Sequence, residues 1–444
     1  MVSQPAVLPA GSTAPTCLSS ACAAKVARRQ CTKGCCVSHA RQYVVIGNGI
    51  AGTTAAETLR KNDPDCKITL FTDEPYRLYN RVALPPALKL KTPIPKLFMK
   101  TVEFHQERDI CFFPSTRVTS VDLVGRTVLT DRGQEVPFDR LLVATGGMPN
   151  PLTVPGADAA GVCYFQTLDD TKGLLEEILR ARSAVSIGGS YIAYELAEAF
   201  RARGLHVTWL IRGPRFLHRV LDEHGGLLVD TIARSHGVEM VYEDSADHLE
   251  TRDGHVSAVV SKGNRRFEAD IVGCGLGLRL QHDFLPKDEV QVAYGVVTNQ
   301  FLETNAEPVY AAGDVAEFYD VDLNTHYTMG TWASATLHGR TAAINMAGGH
   351  QQVTEVRSYT TTLFDSRMTV IGATPEIQVE LESVSHTDFR GSSPKEWSYR
   401  RLFFFEGRLV GAVLIGDMHA KVDLVNVIRS KRPVWEDRAA LLTL

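Results

Sequence analysis

Two stretches of this chain share one device, a short apolar strand that runs directly into a glycine-rich turn and an alanine-rich helix. The first reads Tyr43-Val44-Val45-Ile46 and then Gly47-Asn48-Gly49-Ile50-Ala51-Gly52. The second reads Ala184-Val185-Ser186-Ile187 and then Gly188-Gly189-Ser190-Tyr191-Ile192-Ala193. Glycines in such a turn let the backbone approach a pyrophosphate closely, and the helix that follows offers unpaired N–H groups and the positive end of its dipole. One turn of this kind also arises for purely structural reasons. Two in a single chain point to two dinucleotides, and a protein that holds two dinucleotides usually passes electrons between them.

The charged residues near these turns extend the reading. Lys67-Ile68-Thr69-Leu70-Phe71 is the expected second strand of the first unit, and it ends at Asp73-Glu74, where a carboxylate can accept from ribose hydroxyls. Val309-Tyr310-Ala311-Ala312-Gly313-Asp314 repeats the pattern of an apolar strand ending in glycine and places an acid at the strand's C-terminal end. That is where open α/β sheets bind their ligands. In the second unit the corresponding strand ends Leu210-Ile211-Arg212, a cation where the first unit has acids.

The elements that must position these groups follow from the apolar pattern. A helix is expected from Thr53 to Lys61, small antiparallel strands at Arg117–Leu123 and Thr127–Thr130, and an apolar strand at Leu141-Leu142-Val143 that stops at Ala144-Thr145-Gly146-Gly147. The stretch containing Pro85, Pro86, Pro93 and Pro95 reads as too interrupted for a helix. Strands follow at Ala184–Ile187, His206–Ile211 and Ile271–Cys274, with a helix from Gly330 to Ala347. After residue 352 the period shortens to alternating strands, with Glu406-Gly407 as a hairpin turn, and a last helix spans Ala420–Arg429. The expected class is α/β, with two Rossmann-like dinucleotide-binding domains, the second inserted in the first, and a C-terminal α+β domain. In residues this gives an N-terminal extension at 1–42, a first nucleotide domain at 43–155 and 282–350, a second at 156–281, and a C-terminal domain at 351–444.

Composition narrows the class. A chain of 444 residues exceeds one ordinary core. With 44% hydrophobic and 22% charged residues and a net charge of −4, it fits a soluble globular enzyme, with no nucleic-acid or membrane partner. Of the nine cysteines, Cys66, Cys111, Cys163 and Cys274 are scattered, which fits a reducing, cytoplasmic setting. The other five, Cys17, Cys22, Cys31, Cys35 and Cys36, sit in a first segment that has no acidic residue. Three readings stay open there: a loosely packed extension, an organellar transit peptide, or a metal or iron–sulfur ligand set. The cysteine spacing matches no zinc or ferredoxin pattern, and no metal ligands are assigned.

Over 42–444 the chain resembles the two-dinucleotide FAD/NAD(P)H reductases of the pyridine-nucleotide oxidoreductase superfamily. Four segments carry the resemblance in order: the first glycine turn, Ala144-Thr145-Gly146, the second glycine turn and Ala312-Gly313-Asp314. The run from Phe71 to Arg81 is most similar to the flavin module of nitrite reductase large subunits and to rubredoxin reductases. The resemblance implies that Gly47, Gly49 and Gly52 lie against the FAD pyrophosphate, Glu74 on the adenosine ribose and Arg81 near the flavin. It also implies that Ala144, Thr145 and Gly146 pass close to FAD, and that Gly313 and Asp314 hold its ribityl or pyrophosphate portion. Gly188, Ser190 and Ala193 would face the NAD(P)H pyrophosphate, with Glu195 beside the nicotinamide. Trp332, in Gly330-Thr331-Trp332, reads either as a neighbour of the same ring or as helix packing.

Departures from the family pattern shape the functional expectation. Ser190 replaces a glycine of the second turn. Leu84-Pro85-Pro86 stands where ferredoxin reductases of oxygenase systems carry a lysine near the flavin. Ile211 stands where NADH-preferring relatives usually place a glutamate. A guanidinium binds a 2′-phosphate that a carboxylate repels, so NADPH is expected, with Arg212 and Arg219, and also Arg215, as phosphate partners, and NADH as the weaker option. The paired cysteines of disulfide reductases are absent after the first turn. The expected function is transfer of a hydride from NADPH to FAD and of electrons onward without a protein disulfide. The acceptor is left open among an iron–sulfur or rubredoxin-like protein, a small oxidant and a centre built from the N-terminal cysteines. The chain is expected to be a monomer or homodimer. The contrasting reading is a nucleotide-sensing interaction protein without turnover.

Overall fold

The computed structural model describes residues 40–444 apart from 355 and 390–392. The five N-terminal cysteines, and with them the three readings of that segment, lie outside the described residues.

Strand Gln42–Ile46 is the centre of the first sheet because Tyr43-Val44-Val45-Ile46 is apolar on both faces and can be buried on both. It pairs in parallel with Lys67–Phe71 on one side and with Arg140–Val143 on the other. Ile110–Phe113 and Val309–Ala311 complete the five strands. The strand Val309–Ala311 joins this sheet from beyond the second sheet in sequence, so the chain leaves the first sheet and returns to it. Helix Ile50–Asn62 follows the first glycine turn. Helix Trp332–Met346 crosses it so closely that a Cβ on Gly339 would lie 2.1 Å from the Ala51 carbonyl oxygen.

The second sheet is also parallel, in the order Val238–Val241, His206–Leu210, Ser183–Ile187, Ile271–Cys274, Val162–Tyr164. Helix Tyr191–Ala202 follows its glycine turn. The third sheet is antiparallel, in the order Ser358–Leu363, Ser366–Gly372, Arg408–Ile415, Ser398–Phe405, Glu382–Asp388. Glu406 at φ 50° and Gly407 at φ 72° make the two-residue hairpin loop between its longest strands, the positive φ at both positions matching the loop to the right-handed twist of the strands. Helix Lys421–Ser430 contributes Leu424 to the core on one side of this sheet. The described residues contain no helix long and apolar enough to cross a membrane.

Two elements differ from expectation. The proline-rich stretch contains a short helix, Leu84–Leu88. Pro85 and Pro86 fall in its first turn, where no N–H is required, so their rings initiate the helix instead of breaking it. Beyond the expected last helix, a further one at Arg438–Leu442 ends under Arg400, which donates to the carbonyls of Leu441, Leu442 and Leu444 at 2.9 Å each.

Candidate functional site

The C-terminal ends of the strands in the first sheet open onto one cavity of about 1490 Å³, larger than the roughly 300–1,000 Å³ of ordinary ligand pockets. Its wall is continuous from Gly47 and Gly49 of the first turn, past Thr145 and Asp314, to Ser190 and Glu195 of the second helix. Ile46 ends the central strand, which pairs with Lys67–Phe71 on one side and Arg140–Val143 on the other, and ligands of open α/β sheets bind beyond the carboxyl ends of such central strands.

The first turn is built for close approach. Gly47 has φ +110° and a Cβ there would sit 2.2 Å from the Ala144 carbonyl oxygen, so no side chain fits. Gly52 brings the helix onto the turn, with a Cβ 1.9 Å from the Gly47 oxygen, and it does not itself line the cavity. At Gly49 a Cβ would meet nothing within 4 Å. It borders the open cavity at the N-terminus of helix Ile50–Asn62, and that bare edge is the cradle a pyrophosphate requires.

Around this edge the sequence-selected residues are linked to one another. Glu74 accepts from the Tyr79 hydroxyl at 2.7 Å and from the Arg81 guanidinium. Arg81 also donates to the Gln166 carbonyl at 2.7 Å and lies over the Tyr79 ring. Glu74 and Arg81, read from sequence as separate contacts, therefore form one ion pair on the cavity wall. Asp73 reaches the cavity as well, 3.5 Å from Arg117. Thr145 donates to the Gln281 carbonyl at 2.5 Å, which ties the turn after Arg140–Val143 to the returning chain. Burial pushes the Asp314 carboxyl up to about 6, against the pull of Arg81. Ala144, Gly146, Gly313 and Trp332 complete this side, and Trp332 is the first residue of its helix, capped by Thr331.

The second turn uses its residues differently. Gly188 has φ +128° and packs against Gly275, where a Cβ would lie 2.1 Å from the Gly275 oxygen. Ala193 is fully buried. Neither is among the residues that line the cavity. Ser190 does line it, but its hydroxyl donates to Gly275 O at 2.8 Å and accepts from Ala193 N, capping the helix. Ile211 is buried, its Cγ2 lying 3.3 Å from where a Gly189 Cβ would stand. Arg212 is exposed just past the strand end and is not among the residues that line the cavity. Arg219 does reach the cavity wall, and it also borders a second basin of about 440 Å³ with Arg215, His218 and Arg401.

Glu195 is buried at the wall where the two halves meet, and burial pushes its carboxyl up to about 7. The hydroxyl of Tyr359 donates to it at 3.2 Å. Tyr359 comes from the C-terminal sheet, and Arg357, just before that strand, and Glu376, in the short 3-10 helix Pro375–Ile377, also line the cavity. Sequence reasoning missed all three because the alternating pattern of that region shows only a sheet. Lys89 is buried and pairs with Glu198 at 2.9 Å, off the cavity. Among the described residues, no cysteine lines the cavity.

Two parallel sheets sharing one dinucleotide-sized cavity define a two-nucleotide oxidoreductase. Comparison with known proteins agrees. The family model for pyridine nucleotide-disulphide oxidoreductases matches residues 41–339, and the model for the rubredoxin NAD+ reductase C-terminal domain matches residues 379–432. The chain belongs to the pyridine nucleotide-disulphide oxidoreductase family and is an FAD-dependent NAD(P)H oxidoreductase. It is 27% identical over 406 residues to a nitrite reductase [NAD(P)H] of Bacillus subtilis (strain 168), covering 89% of this chain and 48% of that protein. It therefore spans about half the length of that relative. It is 28% identical over 306 residues to a rubredoxin-NAD(+) reductase of Pseudomonas putida, covering 69% of this chain and 80% of the relative. The fold is shared with the putidaredoxin reductase–putidaredoxin covalent complex, at TM-score 0.81 and 23% identity, covering 91% of this chain and 96% of that one.

Proposed function

We propose that the chain is an NADPH-dependent flavoprotein reductase that delivers electrons to a separate redox acceptor without a protein disulfide. The carrying observation is the cavity that joins the Gly49 edge and Asp314 to Glu195 and Trp332 and is lined by no cysteine among the described residues. Bound FAD would supply the redox centre, taking two electrons from reduced nicotinamide and passing them on.

The residues present fit that group. Gly47 and Gly49 bring backbone to the pyrophosphate, and Gly52 lets the helix N-terminus point at it. Glu74, held by Tyr79 and Arg81, presents its remaining lone pairs to ribose hydroxyls, while Asp314 accepts from the ribityl portion. Ala144, Thr145, Gly146 and Gly313 line the same channel. Across the cavity Ser190 borders the second nucleotide, and Glu195 and Trp332 enclose the nicotinamide, keeping water from the space where the two rings meet. In this reading the FAD-binding half comprises 43–155 and 282–350, the nicotinamide-nucleotide half 156–281, and the C-terminal domain 351–444.

NADPH is favoured over NADH by charge. Ile211 offers no carboxylate to a 2′-hydroxyl, and Arg219 with Arg215 supplies guanidinium groups at the same end of the sheet, with Arg212 beside them in solvent. The acceptor proposed is a small iron–sulfur or rubredoxin-type protein, in keeping with the names of the relatives that match. Mixing the flavoprotein anaerobically with NADPH or NADH in a stopped-flow cell tests both parts. Rapid bleaching of the flavin by NADPH supports the reading. No bleaching by either nucleotide overturns the reductase, and much faster bleaching by NADH overturns the cofactor preference.

A further inference from the structure

The helix that follows the second glycine turn does not face the nicotinamide site unaided. The edge strand of the C-terminal sheet, Ser358–Leu363, lies along it and makes two sets of contacts. Tyr359 donates to Glu195 Oε1 at 3.2 Å. One helical turn further on, Thr362 meets Glu198 at 3.4 Å, and the Tyr194 hydroxyl bonds the Thr362 carbonyl and the Phe364 N–H. The two carboxylates differ in their partners. Glu198 is neutralised by Lys89 at 2.9 Å and also receives the Tyr194 hydroxyl at 2.8 Å. Glu195, on the cavity wall, is met by a neutral hydroxyl, and the ring bearing that hydroxyl is fixed edge-on against Tyr191 at 5.5 Å.

We propose that Tyr359 is a positioning residue for nicotinamide binding, holding the Glu195 carboxylate through its hydroxyl so that the free oxygen accepts from the carboxamide N–H of the nicotinamide. The C-terminal sheet is thereby part of the nucleotide site. The proposal rests on the reductase reading above for the identity of the ring. Groups facing Glu195 are Tyr359 from the strand, Glu198 from its own helix and Lys89 from the short proline-led helix. Of these, Tyr359 and Lys89 favour the charged carboxylate, while burial and Glu198 oppose it.

The test is a double-mutant cycle on the flavoprotein, read by calorimetric titration with NADP+ across pH, which requires no turnover. Tyr359→Phe is expected to weaken NADP+ binding about tenfold at pH 8, the scale of one hydrogen bond to a charged group. It should also move the midpoint of the pH dependence upward, because the carboxylate has lost a donor. In a Glu195→Gln background the same substitution should cost nothing further. Additive losses, or an unchanged midpoint in Tyr359→Phe, would overturn the proposal. Thr362→Val loosens the same strand without touching Glu195, and a midpoint shift there equal to that of Tyr359→Phe would assign the effect to strand docking and overturn it as well. Failure of NADP+ and NAD+ alike to bind the unsubstituted protein is separate, since it removes the reductase reading itself.

Discussion

The two glycine turns begin with the same geometry and diverge at their third and sixth positions. In the first, Gly49 is bare toward the cavity and Gly52 lets the helix close on the Gly47 oxygen, 1.9 Å from a would-be Cβ. In the second, Ser190 and Ala193 stand at those places, and the missing Cβ has moved to Gly275, at the end of the neighbouring strand. A Cβ on Gly275 would lie 2.3 Å from Ala193 N. The helix and sheet still pack tightly, but the residue that makes this possible is on the sheet. The freed position carries a cap, since Ser190 satisfies a helix N–H that the first turn leaves for a ligand. A ligand that completes the first helix is retained, whereas one that meets an already capped helix can come and go.

Substitutions can break that contrast. Gly47→Ala forces a side chain into both a positive φ and the Ala144 carbonyl, and should cost on the order of 3 kcal/mol or more. Flavin content after gel filtration and the thermal midpoint should fall together. Gly49→Val leaves the polypeptide unclashed, so the fold should survive by circular dichroism while flavin retention drops on the order of tenfold or more. Loss of both would place Gly49 in the packing, like Gly52.

Seven residues after each turn's first glycine the helices differ again, with Thr54 in one and the buried Glu195 in the other. Burial raises the Glu195 carboxyl from about 4.5 to about 7, so the folded state prefers it protonated. Its contribution to stability is present below pH 4.5 and is lost as pH rises through 7. Glu195→Gln should therefore be more stable than the unsubstituted protein at pH 8, by roughly 3 kcal/mol, and close to it near pH 4.5, as checked by urea unfolding at both pH values. The smallest effect belongs to the cap. Ser190→Ala should cost about 1 kcal/mol and Ser190→Gly only a few tenths, both without loss of flavin.

Much of this was legible in the residues. Short apolar runs such as Tyr43–Ile46, each leading into a glycine turn and an alanine-rich helix, read as strands of a parallel sheet, and Gly47 is explained by a positive φ and a close approach that exclude a side chain. The acid at Asp314 was visible for the same cause, a polar group at the end of an apolar strand. The family resemblance pointed to Glu195, and both Glu195 and Trp332 line the cavity.

What the sequence could not determine depends on contacts between distant segments. Gly188 and Ala193 read as nucleotide contacts, and only the folded chain shows Gly275, 82 positions or more along the chain, packed against them. Glu74 and Arg81 each read as ligand contacts, and only the folded chain joins them as a pair beneath Tyr79. Tyr359 sits in a strand whose alternation announces a sheet and nothing else, because a hydroxyl has no partner until tertiary packing supplies one. The local pattern of apolar residues and glycines determined the sheets and their turns. Which side chains meet across the cavity was decided by the packing of three sheets, since hydrogen bonds and ion pairs form at distances of about 3 Å that no spacing in sequence encodes.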